Sequence, residues 1–112
     1  MNVTISIGRN VGKVPLPTRE WDSFVGAIDL LVSALVDESQ STVAQVVQFG
    51  FVDGWWNGDR EDSYTITVAD VDPRLERNLA NCLRVECIRY SQDSSAATWY
   101  EPTLVKRTLI ER

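Results

Sequence analysis

The chain of 112 residues predicts an α+β fold of the ferredoxin-like kind, with the order β-α-β-β-α-β in a single domain over residues 1–112. Two observations carry this prediction. Four segments alternate apolar and polar residues, and two longer segments repeat apolar residues at helical spacing. In this order, two helices cover one face of a four-stranded antiparallel sheet and leave the other face open.

The first strand and the first helix are separated by a loop. Val3, Ile5 and Ile7 alternate with small polar residues, which is typical of a half-buried strand. Residues 8–17 contain two glycines and two prolines and are expected to form the loop. Thr18 is the expected N-cap of a helix that ends near residue 37. Its apolar side chains recur every three or four positions: Trp21, Phe24, Val25, Ile28, Leu31, Val32 and Leu35.

The second half of the chain predicts a hairpin, a helix and a further strand. Residues 43–52 and 63–70 are rich in β-branched and aromatic residues and predict the hairpin. Asp72, which is followed by proline, is a strong start signal for the second helix. Residues 96–100 predict the fourth strand. Residues 103–110, after Pro102, predict an extended segment that pairs either with its own sheet or with a neighbouring chain.

The open face of the predicted sheet carries small polar side chains. The residues expected there include Thr4, Ser6, Thr65 and Thr67. Such a face is either solvated or paired with a second copy of the chain.

Composition and charge exclude several classes of function. The net charge of −5, from 16 acidic and 11 basic residues, argues against binding to nucleic acids or to anionic membranes. No apolar run approaches the length of a membrane span. Cys82 and Cys87 lie about 140° apart around the second helix and too far apart to bridge. We therefore expect reduced thiols and a cytoplasmic protein.

Side chains for catalysis and metal binding are scarce. The chain has no histidine, which removes Ser-His and Cys-His activation and the commonest general base. Two cysteines without histidine cannot complete a tetrahedral zinc site unless carboxylates join them. If Asp53 is taken as the first position of a calcium-binding loop, Trp55 and Tyr64 fall at positions where that loop requires ligands. The hairpin therefore does not match a calcium-binding loop. The sequence predicts no catalytic residue, no metal site and no cofactor.

Three acidic residues, Asp59, Glu61 and Asp62, follow the turn of the hairpin. Glu61 and Asp62 are adjacent in a strand, so their side chains point to opposite faces and cannot act on one substrate. We expect all three to be solvated and to keep the hairpin end soluble.

The tryptophans give the candidate interaction residues. Trp21 is expected in the core, and Trp99 lies either in the core or on the surface. Trp55 and Trp56 are adjacent, so one of them faces away from the core if the strand continues. Trp56 either folds back over the helix ends or serves as an exposed anchor for a partner, because Trp and Arg dominate interface hot spots. The interaction candidates are Trp55, Trp56, Arg60 and Trp99.

Two short motifs follow the hairpin strand and the second helix. WNGDREDS at residues 56–63 fits W-x-G-x-x-E-D-S, and RYSQDS at residues 89–94 fits R-[YF]-x-Q-[DE]-[AS]. Together they resemble small uncharacterised proteins of actinobacteria and their phages, over roughly residues 50–105. Ser91 stands where that pattern usually has glycine. The resemblance implies an intracellular protein, encoded by a cell or by a phage, and implies no catalytic residue.

The predicted function is that of a non-enzymatic interaction protein, which binds a host or viral protein or self-associates as a homo-oligomer. The alternative is a binder or sponge for an anionic nucleotide at a subunit interface. Its anion-binding candidates are Arg9, Lys13, Arg74 and Arg77. Residues 8–13 follow a strand as a phosphate-binding loop does, but they lack its spacing. A third class, an enzyme that uses carboxylates and arginines in an oligomeric cleft, stays open.

Overall fold

The computed structural model describes residues 1–39, 43–56, 58–101 and 104–111. These residues form seven strands and two α-helices. In chain order the elements are β1 (Asn2–Gly8), β2 (Asn10–Val11), β3 (Val14–Pro15), α1 (Thr18–Glu38), β4 (Gln45–Trp56), β5 (Asp59–Ala69), α2 (Glu76–Arg89), β6 (Ser94–Glu101) and β7 (Leu104–Glu111).

The main sheet has five antiparallel strands in the order β4-β5-β1-β6-β7, and β2 and β3 form a separate ribbon. The predicted α+β class with two helices is confirmed, but the prediction of a four-stranded sheet is wrong. The C-terminal segment supplies the fifth strand, because β7 pairs with β6 of the same chain. The pairing begins with Ser94 opposite Glu111 and ends with Glu101 opposite Leu104. Residues 102 and 103 of the predicted tail lie outside the described residues.

The hydrophobic core lies between the two helices and one face of the sheet. Val3, Ile5 and Ile7 are buried on that face, as their alternation predicts. Trp21 is buried in α1. Phe24 is also buried there and stacks on Tyr90 from the end of α2, with ring centroids 4.7 Å apart. Neither of the two described helices has the length and hydrophobicity to cross a membrane.

The two predicted helix starts differ in outcome. Thr18 is not the N-cap of α1, because Pro17 occupies that position, and among the described residues no side chain caps the helix. Asp72 does cap the short turn that precedes α2, since its carboxylate accepts the Arg74 N–H at 3.0 Å. The Arg74 side chain binds the same carboxylate, and these hydrogen bonds lower the pKa of Asp72 below its usual value.

The open face carries the small polar side chains that alternation predicts. Thr4 lies across from Thr67, and Ser6 lies across from Thr65. The Thr4 and Thr67 hydroxyls share a hydrogen bond of 2.7 Å. This hydrogen bond lets Thr67 be buried on a face that no helix covers.

The end of α2 is a Schellman motif that requires a left-handed residue. The Gln92 N–H donates to the Cys87 carbonyl at 2.8 Å, and the Ser91 N–H donates to the Ile88 carbonyl at 3.3 Å. Ser91 has φ of 57°, a conformation that glycine adopts at little cost.

Replacing Ser91 with glycine is expected to raise the free energy of unfolding by about 1 kcal/mol, because glycine has no Cβ to strain in the left-handed region. Urea unfolding followed by circular dichroism measures the change. The same substitution at Ser33, an exposed position inside α1, should lower stability by a few tenths of a kcal/mol. Equal effects at both positions would contradict the strain argument.

Candidate functional site

A polar cleft of about 210 Å³ lies at one end of the open face of the sheet. It is bounded by the end of β1, the β2–β3 ribbon, the β4–β5 hairpin and the turn from α2 to β6. Its lining residues are Gly8, Asn10, Gly12, Lys13, Trp56, Asp59, Glu61, Gln92, Asp93 and Ser94. Segments that are distant in the sequence therefore meet at one site.

Glu61 is the buried carboxylate of this cleft, with 8% of its surface exposed. Its Oε2 accepts a hydrogen bond from the Asn10 N–H at 2.5 Å. Burial raises the pKa of Glu61 above its usual value, although the Asn10 hydrogen bond opposes this, and the nearby Asp59 and Asp62 add to the rise. The prediction that Glu61 is solvated is wrong, because the hairpin register turns it inward among the cleft residues.

Asp62 lies on the other side of the same strand, as the alternation predicts. It is exposed and pairs with Arg9 at 3.3 Å. Glu61 and Asp62 therefore differ in burial and in partner although they are adjacent. This makes Asp62 a matched control for experiments on Glu61.

Two glycines leave the space that the cleft side chains occupy. A Cβ atom built at Gly8 would overlap the Glu61 carboxylate. A Cβ atom built at Gly54, which lies directly across from Glu61 on β4, would overlap the Ser63 hydroxyl and lie 3.3 Å from Trp56 Nε1. Gly8 therefore leaves room for Glu61, and Gly54 leaves room for Ser63 and Trp56.

Trp56 forms one wall of the cleft. It is half-buried, and its Nε1 donates to Ser63 Oγ at 3.3 Å. It therefore does not fold over the helix ends, which was one of the two predicted positions. Trp55, in contrast, is 71% exposed, so the two adjacent tryptophans have different environments. Arg60, directly across from Trp55, pairs with Asp53 at 2.6 Å.

Trp99 does not belong to a surface site. It is 1% exposed and lies among the core side chains on β6. The prediction of Trp99 as an interaction residue is therefore wrong, because its side chain is not accessible to a partner.

The four candidate anion-binding residues are not brought together. Lys13 lines the cleft, and the Arg9 guanidinium is held by the Leu16 carbonyl at 2.7 Å and by Asp62. Arg74 is paired with Asp72 near the start of β1, which is the opposite end of the sheet, and Arg77 follows it on α2. The predicted set of four cations does not form one site.

The charge of the cleft favours a cationic ligand. Asp59, Glu61 and Asp93 face a single lysine, Lys13, among the lining residues. Within the described residues, no group of three or more cysteine, aspartate or glutamate side chains is placed to hold a metal ion. The site can hold a positively charged group beside a buried carboxylate and an indole ring.

A larger groove of about 390 Å³ lies between α1 and α2. Its lining is mainly aliphatic, including Leu30, Leu31 and Val85. Glu86 lines it too: its Oε1 pairs with Arg89 at 3.5 Å, and its Oε2 is buried without a hydrogen-bond partner among the described residues. Because the rest of the groove is mainly aliphatic, the cleft at the end of the sheet, which gathers several polar side chains, is the better candidate for chemistry.

The fold is shared with an enzyme. Two solved structures match the chain, and each alignment covers 99% of this chain and 88% of the other. Both are of a phage SAM lyase. The structure in complex with S-methyl-5'-thioadenosine matches with a TM-score of 0.59 and 19% identity, and the apo structure with a TM-score of 0.65 and 17% identity. No protein-family model and no curated protein sequence matches the chain.

This likeness overturns the prediction of a non-enzymatic interaction protein. The chain has the fold of an enzyme along nearly its whole length. The prediction rested on the scarcity of catalytic residue types and on the tryptophans of the hairpin; the missing histidine excludes only the mechanisms that need one. Glu61, which its position in the hairpin predicts to be solvated, is instead buried. The signal that could have identified it is the pair of glycines, Gly8 and Gly54, on the two strands beside it.

Proposed function

We propose that the protein is an enzyme that cleaves S-adenosylmethionine (SAM) and releases S-methyl-5'-thioadenosine. The observation that carries the proposal is the buried Glu61 in an acidic cleft, on a fold similar to that of a phage SAM lyase. A carboxylate with a raised pKa in a cleft is a recognised mark of a functional site.

The chemistry of SAM fits the residues of the cleft. SAM carries a sulfonium and an ammonium group, and the lining residues carry three carboxylates against one lysine. Glu61 would hold one cationic group beside a carboxylate that is largely shielded from water, where a charge pair is stronger than in solution. The face of Trp56 offers a second attraction for a cation.

The reaction needs no nucleophile from the protein. In our proposal the bond between sulfur and the γ-carbon breaks, and its electron pair stays on sulfur to give the neutral thioether. The carboxylate oxygen of the same substrate bonds to the γ-carbon and closes a five-membered lactone, so no water and no proton is consumed. Cys82 and Cys87 lie on α2 and do not line the cleft, in agreement with this route. Orientation by the cleft would supply the rate enhancement.

The test is to incubate the purified protein with SAM and to measure S-methyl-5'-thioadenosine and homoserine lactone by liquid chromatography and mass spectrometry. We expect both products in equal amounts, at a rate well above the spontaneous decay of SAM. S-adenosylhomocysteine, which lacks the sulfonium charge, is the control and should remain intact. SAM decay at the rate of the protein-free blank would exclude the proposed function.

We also propose that the chain self-associates as a homo-oligomer. The edge strand β4 exposes Phe49, Phe51 and Trp55, which alternate along one side. A long apolar edge is unfavourable in a monomer unless it is covered. The cleft is also smaller than the ~300–1,000 Å³ of common ligand pockets, so a neighbouring copy could complete it.

Replacing Trp55 with alanine is expected to weaken self-association at least about tenfold, because exposed tryptophans are frequent interface hot spots. Light scattering over a range of concentrations gives the mass and the dissociation constant. Leu30 is 74% exposed on α1, and its replacement with alanine should leave the mass unchanged. A monomeric wild-type protein at all concentrations would exclude the proposed oligomer.

Two further assignments belong to this proposal. The strand order β4-β5-β1-β6 supports a ferredoxin-like core to which β7 is added. The phage origin of the structural neighbours supports the implied relation to phage proteins. The cytoplasmic location and the absence of nucleic-acid and membrane partners stay predictions.

A further inference from the structure

We propose that Gln92 is a positioning residue for Glu61, which it holds in place through the main chain of Gly8 and Asn10. The kinetic part of this inference rests on the proposed function. The position of Gln92 beside Glu61 does not depend on that function, and it is tested by the pKa of Glu61 and by the exchange of the Gln92 amide protons.

Gln92 joins the end of α2 to the segment that leaves β1. It is 4% exposed. As placed, the side-chain nitrogen donates to the Tyr90 carbonyl at 3.4 Å. With the amide oxygen and nitrogen exchanged, which satisfies both ends of the amide, the nitrogen donates to the Gly8 carbonyl at 3.0 Å and to the Asn10 carbonyl at 3.2 Å. Its own main-chain N–H is fixed by the Cys87 carbonyl in the Schellman motif. One side chain thus ties the rim of the cleft to a helix.

The two carbonyls need this partner because the strand pairing ends before them. The pairing of β1 with β6 begins with Asn2 opposite Tyr100 and ends with Ser6 opposite Ala96, two residues before Gly8. A carbonyl shielded from water without a hydrogen-bond partner is unfavourable, and this applies to buried Gly8 and, in part, to half-buried Asn10. The Gln92 amide, with two N–H donors, takes the place of the absent strand.

The same segment presents a donor to Glu61. The Asn10 N–H lies 2.5 Å from Glu61 Oε2, and Gln92 holds the carbonyl of the same residue. Between the two held carbonyls, the Arg9 N–H donates to the Asp62 carbonyl at 2.9 Å. The segment is therefore anchored on both sides. Without the Gln92 amide, the two carbonyls would turn toward water and draw the Asn10 N–H away from the carboxylate.

The test uses the full chain with Gln92→Met, which keeps the side-chain length and removes the donors. The hydrogen bond from Asn10 favours the ionised carboxylate, so its loss should raise the pKa of Glu61 further, which carbon-13 NMR titration would detect. The kcat for SAM cleavage should fall about tenfold to a hundredfold, with KM changed less than about threefold.

Thr67→Val is the matched control, because it removes a buried side-chain hydrogen bond on the same face without touching the cleft. It should leave the pKa of Glu61 and kcat unchanged. A folded Gln92→Met protein with the wild-type pKa of Glu61 would overturn the inference.

A second variant, Gln92→Asn, and amide proton exchange in the wild-type protein test the role of Gln92 further. If Gln92→Met does not fold, Gln92→Asn keeps a buried amide but shortens its reach, and it should shift the pKa of Glu61 in the same direction. In the wild-type protein, we expect slow exchange of the Gln92 side-chain amide protons, and fast exchange would refute the proposed hydrogen bonds whatever the variants do. If the wild-type protein does not cleave SAM, the proposed function fails, while the pKa and exchange results still decide the role of Gln92.

Discussion

Replacing Glu61 with glutamine is expected to lower kcat/KM for SAM cleavage by about 10²- to 10³-fold. The substitution keeps the shape of the side chain and an oxygen that can accept from the Asn10 N–H. It removes the negative charge that would hold the cationic substrate in the cleft. Product formation from SAM, followed by liquid chromatography, measures the loss.

The same variant should be more stable than the wild-type protein at neutral pH. Burial raises the pKa of Glu61 in the folded state above its usual value of 4.5, so the folded state binds the proton more tightly than the unfolded state does. Its contribution to stability is therefore present below about pH 4.5 and is lost as pH rises through the folded-state pKa. The stability gained by Glu61→Gln should accordingly shrink as the pH is lowered.

Asp62→Asn is the matched control for Glu61→Gln. Asp62 is exposed, lies on the opposite face and pairs with Arg9 near the surface, where an ion pair contributes little. Its loss should change kcat/KM less than about threefold. Equal losses of activity in the two variants would indicate a general effect of charge and would contradict a specific role for Glu61.

Replacing Gly8 with alanine is expected to lower kcat about a hundredfold, because displacement of a catalytic group by about 1 Å has effects of this size. The added methyl group would overlap the Glu61 carboxylate, the end of a flexible side chain that can move away. The fold should therefore be retained while the carboxylate moves toward solvent. Its pKa should then fall toward its usual value, and NMR titration would detect this change.

Gly50→Ala is the control for Gly8→Ala. Gly50 lies on β4, a Cβ atom built there meets no atom within 4 Å, and its backbone requires no left-handed conformation. The substitution should leave kcat and the pKa of Glu61 unchanged. If Gly8→Ala also leaves both unchanged, the close approach of Gly8 to Glu61 has no functional importance.

Local patterns in the sequence were enough to predict the secondary structure of the core. The alternation around Ile5, the helical spacing from Trp21 to Leu35, and the Asp72–Pro73 start signal depend on near neighbours in the chain. These patterns show which face of each strand or helix is apolar, and burial of that face stabilises the element. The α+β class with two helices follows from that information.

Burial of individual polar residues could not be predicted in this way. Alternation separates Glu61 from Asp62 correctly, but it does not state which of the two is enclosed. The position of Glu61 depends on the close approach of Gly8 at the end of β1 and on the N–H of Asn10 in the ribbon. The absence of histidine therefore argues against an enzyme only as long as the burial of Glu61 is unknown.

The sequence by itself determined the fold class, the two helices, the strands of the core and the polar character of the open face. Only the tertiary structure decided that β7 completes the sheet, that Trp99 is buried, that Trp56 lines a cleft and that Glu61 is a buried carboxylate beside it. The physical reason is that elements form from contacts between near neighbours. A site instead depends on side chains and backbone groups that only strand pairing brings together, as Gln92 and Glu61 meet at the end of β1.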